Sequence, residues 1–95
     1  IGSSGNYAQI GSSGNYAKIG SSGNYAQIDV SGKNSVCANI GYNGAIKGVV
    51  GTWITLAEYD DNGVCLLVKS AKIDGKKLKE NVYYKLTDGK FEEVK

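Results

Sequence analysis

Apolar and polar positions in the first half of the chain recur with a period of nine. Ile1 to Gln9 reads IGSSGNYAQ, Ile10 to Lys18 reads IGSSGNYAK, and Ile19 to Gln27 reads IGSSGNYAQ again. Degraded copies follow in the same register: IDVSGKNSV from Ile28, CANIGYNGA from Cys37 and IKGVVGTWI from Ile46. The first position of every copy is apolar (Ile1, Ile10, Ile19, Ile28, Cys37, Ile46). The eighth is small in Ala8, Ala17, Ala26, Ser35 and Gly44, until Trp53 breaks the column. The fifth is Gly5, Gly14, Gly23, Gly32 and Gly41, then slips by one residue to Gly51.

Nine is not a helical period, and two Gly with two Ser in each perfect copy oppose a helix. The stretch Tyr-Ala-Gln-Ile-Gly-Ser alternates like a strand, with Ala8, Ile10 and Ser12 on one face and Tyr7, Gln9 and Gly11 on the other. The following Ser-Gly-Asn supplies a corner, expected to place Gly at positive φ and Asn in the left-handed region. One copy cannot bury a face alone, so successive copies are expected to stack as parallel strands of a solenoid. An interior of Ala, Ile and Ser is thin, which favours two copies, 18 residues, per turn: an all-β, two-sided parallel β-roll. Its core is then Ile1, Ala8, Ile10, Ala17, Ile19, Ala26 and Ile28. The same arithmetic stacks Tyr7 on Tyr25 at about 4.8 Å along one face and puts Tyr16 on the other.

The pattern changes after Gly51. Eleven of the 14 Gly lie at or before that residue, whereas eight of the 11 Lys and eight of the nine acidic residues follow Ile54. Residues 1–51 are therefore read as solenoid and 52–95 as a cap. Thr52 to Tyr59, Val64 to Ile73, Asn81 to Leu86 and Phe91 to Val94 read as four strands of an antiparallel meander, with Val64 to Val68 buried. Asn62-Gly63, Asp74-Gly75 and Asp88-Gly89 are the turns, and Lys76 to Glu80 fits a single helical turn. A capped end is needed because the last rung of a parallel coil exposes unpaired backbone groups and an open core. Trp53, Ile54 and Leu56 are the residues expected to close it. Ile1 begins a perfect repeat with no initiator Met, so the N-terminal edge is expected to be open, as in a piece of a longer protein. More repeats, a symmetry-related copy or another partner would cover it, so a homo-oligomer or further repeats are expected there.

Composition narrows the chemistry. A net charge of +2 without a basic cluster argues against a nucleic-acid or anionic-membrane surface. No apolar run approaches the roughly 18 residues of a spanning helix. There is no His, hence no Ser/His or Cys/His pair. The repeated serines sit in corners, where hydroxyls bond local backbone. Asp60-Asp61 and Glu92-Glu93 are strand or turn neighbours that do not converge, and an isopeptide bond from Lys69 or Lys85 to Asn81 would need an apolar pocket and a buried acid that the sequence does not show. Cys37 and Cys65 read as two buried thiols, too few for a disulfide framework. No catalytic residue, metal or cofactor is expected, and the chain is not read as an enzyme.

The repeat resembles the calcium-binding RTX nonapeptide in period and in two repeats per turn. That pattern needs an Asp where Gly2-Ser3-Ser4-Gly5-Asn6-Tyr7-Ala8-Gln9-Ile10 has Tyr7, so the resemblance carries no calcium site with it. Residues 1 to 51 also resemble the head repeats of YadA-type trimeric autotransporter adhesins. Over nearly its whole length the chain resembles uncharacterised bacterial and phage proteins with Ser-Gly nonapeptide arrays. The shared points are Asn34-Ser35-Val36, Gly41-Tyr42-Asn43-Gly44, Gly51-Thr52-Trp53 and Asn81-Val82-Tyr83-Tyr84-Lys85-Leu86. These likenesses imply a fold and favour a cell-surface or phage-particle setting. The functional expectation is a structural module, the capped C-terminal end of a rod that self-associates. The alternative is an adhesin or phage-tail-type module that binds a glycan or protein. Its binding surface would be the cap or an outward ridge of Tyr7, Tyr16 and Tyr25 with Gln9, Lys18 and Gln27.

Overall fold

A computed structural model describes residues 2–94, and among them only strands and turns form. Ile1, expected in the core, lies outside the described residues. The strands are β1 (Gly2–Ser3), β2 (Gln9–Ser12), β3 (Lys18–Ser21), β4 (Gln27–Val30), β5 (Val36–Asn39), β6 (Ala45–Lys47), β7 (Trp53–Tyr59), β8 (Cys65–Lys72), β9 (Tyr84–Thr87) and β10 (Lys90–Glu93). They form two five-stranded sheets, one ordered β1-β3-β5-β7-β8 and the other β10-β9-β6-β4-β2. Gly2 pairs with Gly20, Gln9 with Gln27, Lys18 with Val36 and Gln27 with Ala45, all in parallel. The chain is thus a two-sided β-solenoid of about three turns, 18 residues to the turn.

Two repeats per turn follow from what the strands bury. Each rung directs repeat positions one and three inward, with position eight beside them. Ile19, Ile28, Cys37 and Ile46 fill the first column, Ser21, Val30 and Asn39 the second, and Ala26 and Ser35 the third, all buried. Ala8, Ile10 and Ala17, nearer the N-terminal end, are half-buried, because fewer rungs cover them. Asn39 is the one large polar residue in the second column. Its Nδ2 donates to the Ala26 carbonyl at 2.8 Å and the Ala45 carbonyl at 3.2 Å, crossing the interior to do so. Gly44 stands where a Cβ would collide with that amide.

The corners depart from the expected geometry. Tyr7, Tyr16, Tyr25, Asn34 and Asn43, all at repeat position seven, carry the positive φ, with values from 54° to 61°. The fifth-position glycines do not. Their reason is close approach: a Cβ on Gly23, Gly32 or Gly41 would overlap the carbonyl of Gly5, Gly14 or Gly23 in the rung before it. Corners stack with strand-like closeness because they share a ladder of their own. The Asn6 side chain accepts the Asn24 N–H and Asn15 accepts that of Lys33, each at 2.9 Å. In the reverse direction Tyr7 N–H donates to the Asn24 carbonyl and Tyr16 N–H to that of Lys33, each at 2.8 Å.

The C-terminal end corrects several expectations. Parallel stacking does not stop at residue 51: β7 pairs with β5, Val36 opposite Trp53 and Cys37 opposite Ile54, at a spacing shortened to 17. That register puts Ile54 and Leu56 in the core but aligns Trp53 with an outward position, where it stays 48% exposed. Trp53 therefore does not close the core. Ile73, Leu78, Tyr84 and Leu86 do, with Val82 and Phe91 packed against them. The antiparallel strands form two hairpins rather than one meander, β7–β8 ending one sheet and β9–β10 ending the other. Each sheet has its own edge to finish, so the cap is divided between them. Residues 76–80 form no helical turn; Asp74 Oδ1 instead accepts the N–H groups of Lys76, Lys77 and Leu78. Val64 to Val68, expected to be buried, is exposed throughout, because β8 is an edge strand and β7 outruns the rung beneath it.

Candidate functional site

The tyrosines divide between two corners because a nine-residue step alternates sides of the roll. Tyr7 and Tyr25 occupy the same corner and stack with ring centroids 5.1 Å apart and planes 6° from parallel. Tyr42 meets Tyr25 edge-on at 5.6 Å, and Tyr59 follows Tyr42 at 6.1 Å. Four aromatic rings thus form a continuous column up one corner. Tyr16 stands on the opposite corner, with Lys33-Asn34 in the next rung above it. Of the expected ridge, then, Tyr7 and Tyr25 come together and Tyr16 does not join them. Gln9 and Gln27 are register partners in one sheet, whereas Lys18 lies in the other.

The repeat pattern does not point to Tyr42 and Tyr59. Neither occupies repeat position seven, yet the series Tyr7, Tyr25, Tyr42, Tyr59 has spacings of 18, 17 and 17 residues, which carries the signal. The column is exposed at its N-terminal end and anchored at the other, where the Tyr59 hydroxyl donates to the Ile40 carbonyl. A flat ring pair such as Tyr7–Tyr25 offers an apolar face with polar hydroxyl ends, suited to stacking against a planar or sugar-like surface.

The column leads to a cleft of about 140 Å³ bounded by Tyr42, Asn43, Glu58, Tyr59, Lys85 and Thr87. Its charged groups serve the fold. Glu58 accepts the N–H groups of Asp88 and Gly89 at 2.8 and 2.9 Å, tying the first hairpin to the turn of the second. Lys85 Nζ lies 3.4 Å from Asn43 Oδ1, and Lys69 Nζ donates to the Gly89 carbonyl at 3.0 Å. Both lysines of the expected Lys–Asn81 pairing thus bond other groups, and the Asn81 N–H donates to the Gly48 carbonyl.

The thiols differ. Cys37 is buried, and desolvation pushes its pKa up to about 11; Cys65, expected to be buried, is exposed on β8. Both are free. Backbone N–H groups donated by the Lys76–Leu78 segment hold the Asp74 carboxyl below its ordinary range. On the outer face of the second sheet, Lys47 pairs with Asp29 at 3.4 Å and sits 4.9 Å over the Tyr83 ring. Among the described residues, no group of three or more Cys, Asp or Glu is gathered as metal ligands are.

No protein-family model matches this chain, and no curated protein or solved structure matches it.

Proposed function

We propose that this chain is a structural and assembly module, the capped C-terminal end of a β-solenoid rod that associates through its open N-terminal edge. The observation that carries the reading is the asymmetry of the two ends. At the C-terminal end the core is covered by Ile73, Leu78, Tyr84 and Leu86. At the other end β1 and β2 are the outermost strands of their sheets, and Ala8 and Ile10 are only half-buried. Gln27 N–H donates to the Ala8 carbonyl and Ser31 N–H to that of Ser12. The even-numbered residues of β2 therefore face β4, which leaves the N–H and C=O of Gly11 directed outward. An edge of this kind is a template for a further strand, supplied by preceding repeats or by another copy.

Sedimentation velocity over a range of concentrations tests it. The chain is expected to associate beyond its 10.0 kDa mass, and Gly11→Pro, which removes an outward N–H, is expected to weaken that association. Association indifferent to Gly11→Pro would count against the N-terminal edge.

The stacked Tyr7–Tyr25 pair favours a second reading, an adhesin or phage-tail-type module that binds a glycan or protein along the column. Tyr7→Ser with Tyr25→Ser separates the two. Loss of ligand binding with assembly intact supports the binding module, and loss of assembly supports the rod. The likeness of the repeats to adhesin heads and phage arrays makes a cell surface or phage particle the proposed setting for both.

A further inference from the structure

We propose that strand β8 is a second assembly surface, at which two copies of this chain pair antiparallel, tail to tail. It lies at the opposite end of its sheet from β1, and the inference stands independently of the N-terminal edge.

Natural proteins shorten, twist or cover their edge strands, because an exposed, long, apolar one recruits another strand. β8 is eight residues long, the longest strand among the described residues, and no other described strand pairs with its outer edge. Together with the preceding Val64, its N-terminal half presents one exposed apolar face, with Val64 58%, Leu66 57% and Val68 58% exposed, while Leu67 on the other face, 36% exposed, lies against the Gly89 turn. The cause is geometric. β7 pairs with β5 only as far as Leu56, so the part of β8 that faces Ala57 to Tyr59 has no parallel rung of its own sheet beneath it.

The charge pattern selects the occupant. Lys69 and Lys72 lie at the C-terminal end of β8, whereas Asp60 and Asp61 lie in the turn before it. A second copy running antiparallel about a twofold axis near Leu66 lays apolar residues on apolar residues. It also brings the lysine end of each strand to the aspartate turn of the other. A parallel copy would oppose like charges. The polar Gly2–Ser3 of β1 offers this strand no comparable apolar match. Pairing of this kind is isologous and joins two caps back to back, leaving both N-terminal edges pointing outward. With an N-terminal association as well, the two interfaces alternate along a filament.

Sedimentation equilibrium of the full chain and its variants tests the proposal, with circular dichroism checking the fold of each. Gly11→Pro is expected to retain a dimer of twice the 10.0 kDa chain mass. In that background, Leu66→Lys with Val68→Lys is expected to raise the dissociation constant at least tenfold. Lys72→Glu is expected to weaken the dimer, and Lys72→Glu combined with Asp61→Lys to restore it. The restoration is specific to antiparallel pairing. A Gly11→Pro chain that stays monomeric at every concentration would overturn the proposal and make Lys69 and Lys72 guards of a solitary edge. So would a dimer unaffected by the paired lysine substitutions, or a charge exchange that fails to restore it.

Discussion

Gly32 stacks on Gly14 so closely that a Cβ added to Gly32 would overlap the Gly14 carbonyl and come within 3.0 Å of the Asn15 amide nitrogen. The fifth repeat position thus sets how tightly one corner sits on the next. Gly20, in the middle of β3, has nothing within 4 Å of the same hypothetical atom and no positive φ. Gly32→Ala is therefore expected to destabilise the chain by about 1–3 kcal/mol, as overpacking does. Gly20→Ala is expected to be neutral or to stabilise by about 0.4–1 kcal/mol through the unfolded chain. Chemical denaturation of the two variants reads the difference directly, and equal losses would remove the corner-stacking argument.

Glu58 joins the two terminal hairpins by accepting both N–H groups of the Asp88-Gly89 turn. Glu58→Ala leaves those donors without their carboxylate and is expected to cost about 1.5–3 kcal/mol, the range for hydrogen bonds to a charged group. The loss should concentrate at the C-terminal end, with hydrogen exchange accelerated in β9 and β10 before β4 and β5. Uniform acceleration would mean that Glu58 does not act as a local tie.

The two cysteines give a labelling experiment with a clear expectation. Burial raises the Cys37 pKa to about 11, so thiolate, the reactive form, is scarce there at pH 8. Cys65 is exposed. An alkylating reagent should add one label to the folded chain, at Cys65, and two in denaturant. Rapid labelling of Cys37 in the folded chain would contradict the buried first-position column.

Asp74 gives stability an acid dependence. Its folded-state pKa is lowered by the backbone N–H groups of Lys76, Leu78 and Lys77, from an ordinary value of 3.8. The unfolded chain then binds the proton more readily, so the contribution is present above that value and is lost as pH falls through the lowered one. Thermal melts between neutral and strongly acid pH should show a smaller acid loss in Asp74→Asn than in the parent chain. Equal acid losses would place the dependence elsewhere.

The coil was legible because identical residues recur in one register. Ile10 over Ile28 and Gln9 over Gln27 follow from counting eighteen, and the thin column of Ala26, Ile28 and Ile46 left room for only two sides. What escaped the sequence depends on neighbours it does not name. Intrinsic preference assigns positive φ to Gly and Asn, yet Tyr7 and Tyr25 adopt it, held by N–H bonds to the rung above. Size alone makes Trp53 a core residue, but the one-residue slip before it turns that position outward. The run Val64 to Val68 looks alike in a central strand and at an edge, and only the pairing order separates the two. The aromatic column was half seen, through Tyr7 and Tyr25, because Tyr42 and Tyr59 follow the turn length rather than the repeat position.

Stacked rungs and a receptive N-terminal edge are tested together by residue-resolved amide hydrogen exchange at two protein concentrations. The N–H groups of Gln27, Val36 and Ala45, bonded to the carbonyls of Ala8, Ala17 and Ala26, should exchange slowly at either concentration. The Gly11 amide should exchange rapidly in dilute solution and become protected in concentrated solution. A Gly11 amide that stays unprotected at high concentration would contradict association through the N-terminal edge, and fast exchange at Gln27 and Val36 would contradict the solenoid itself.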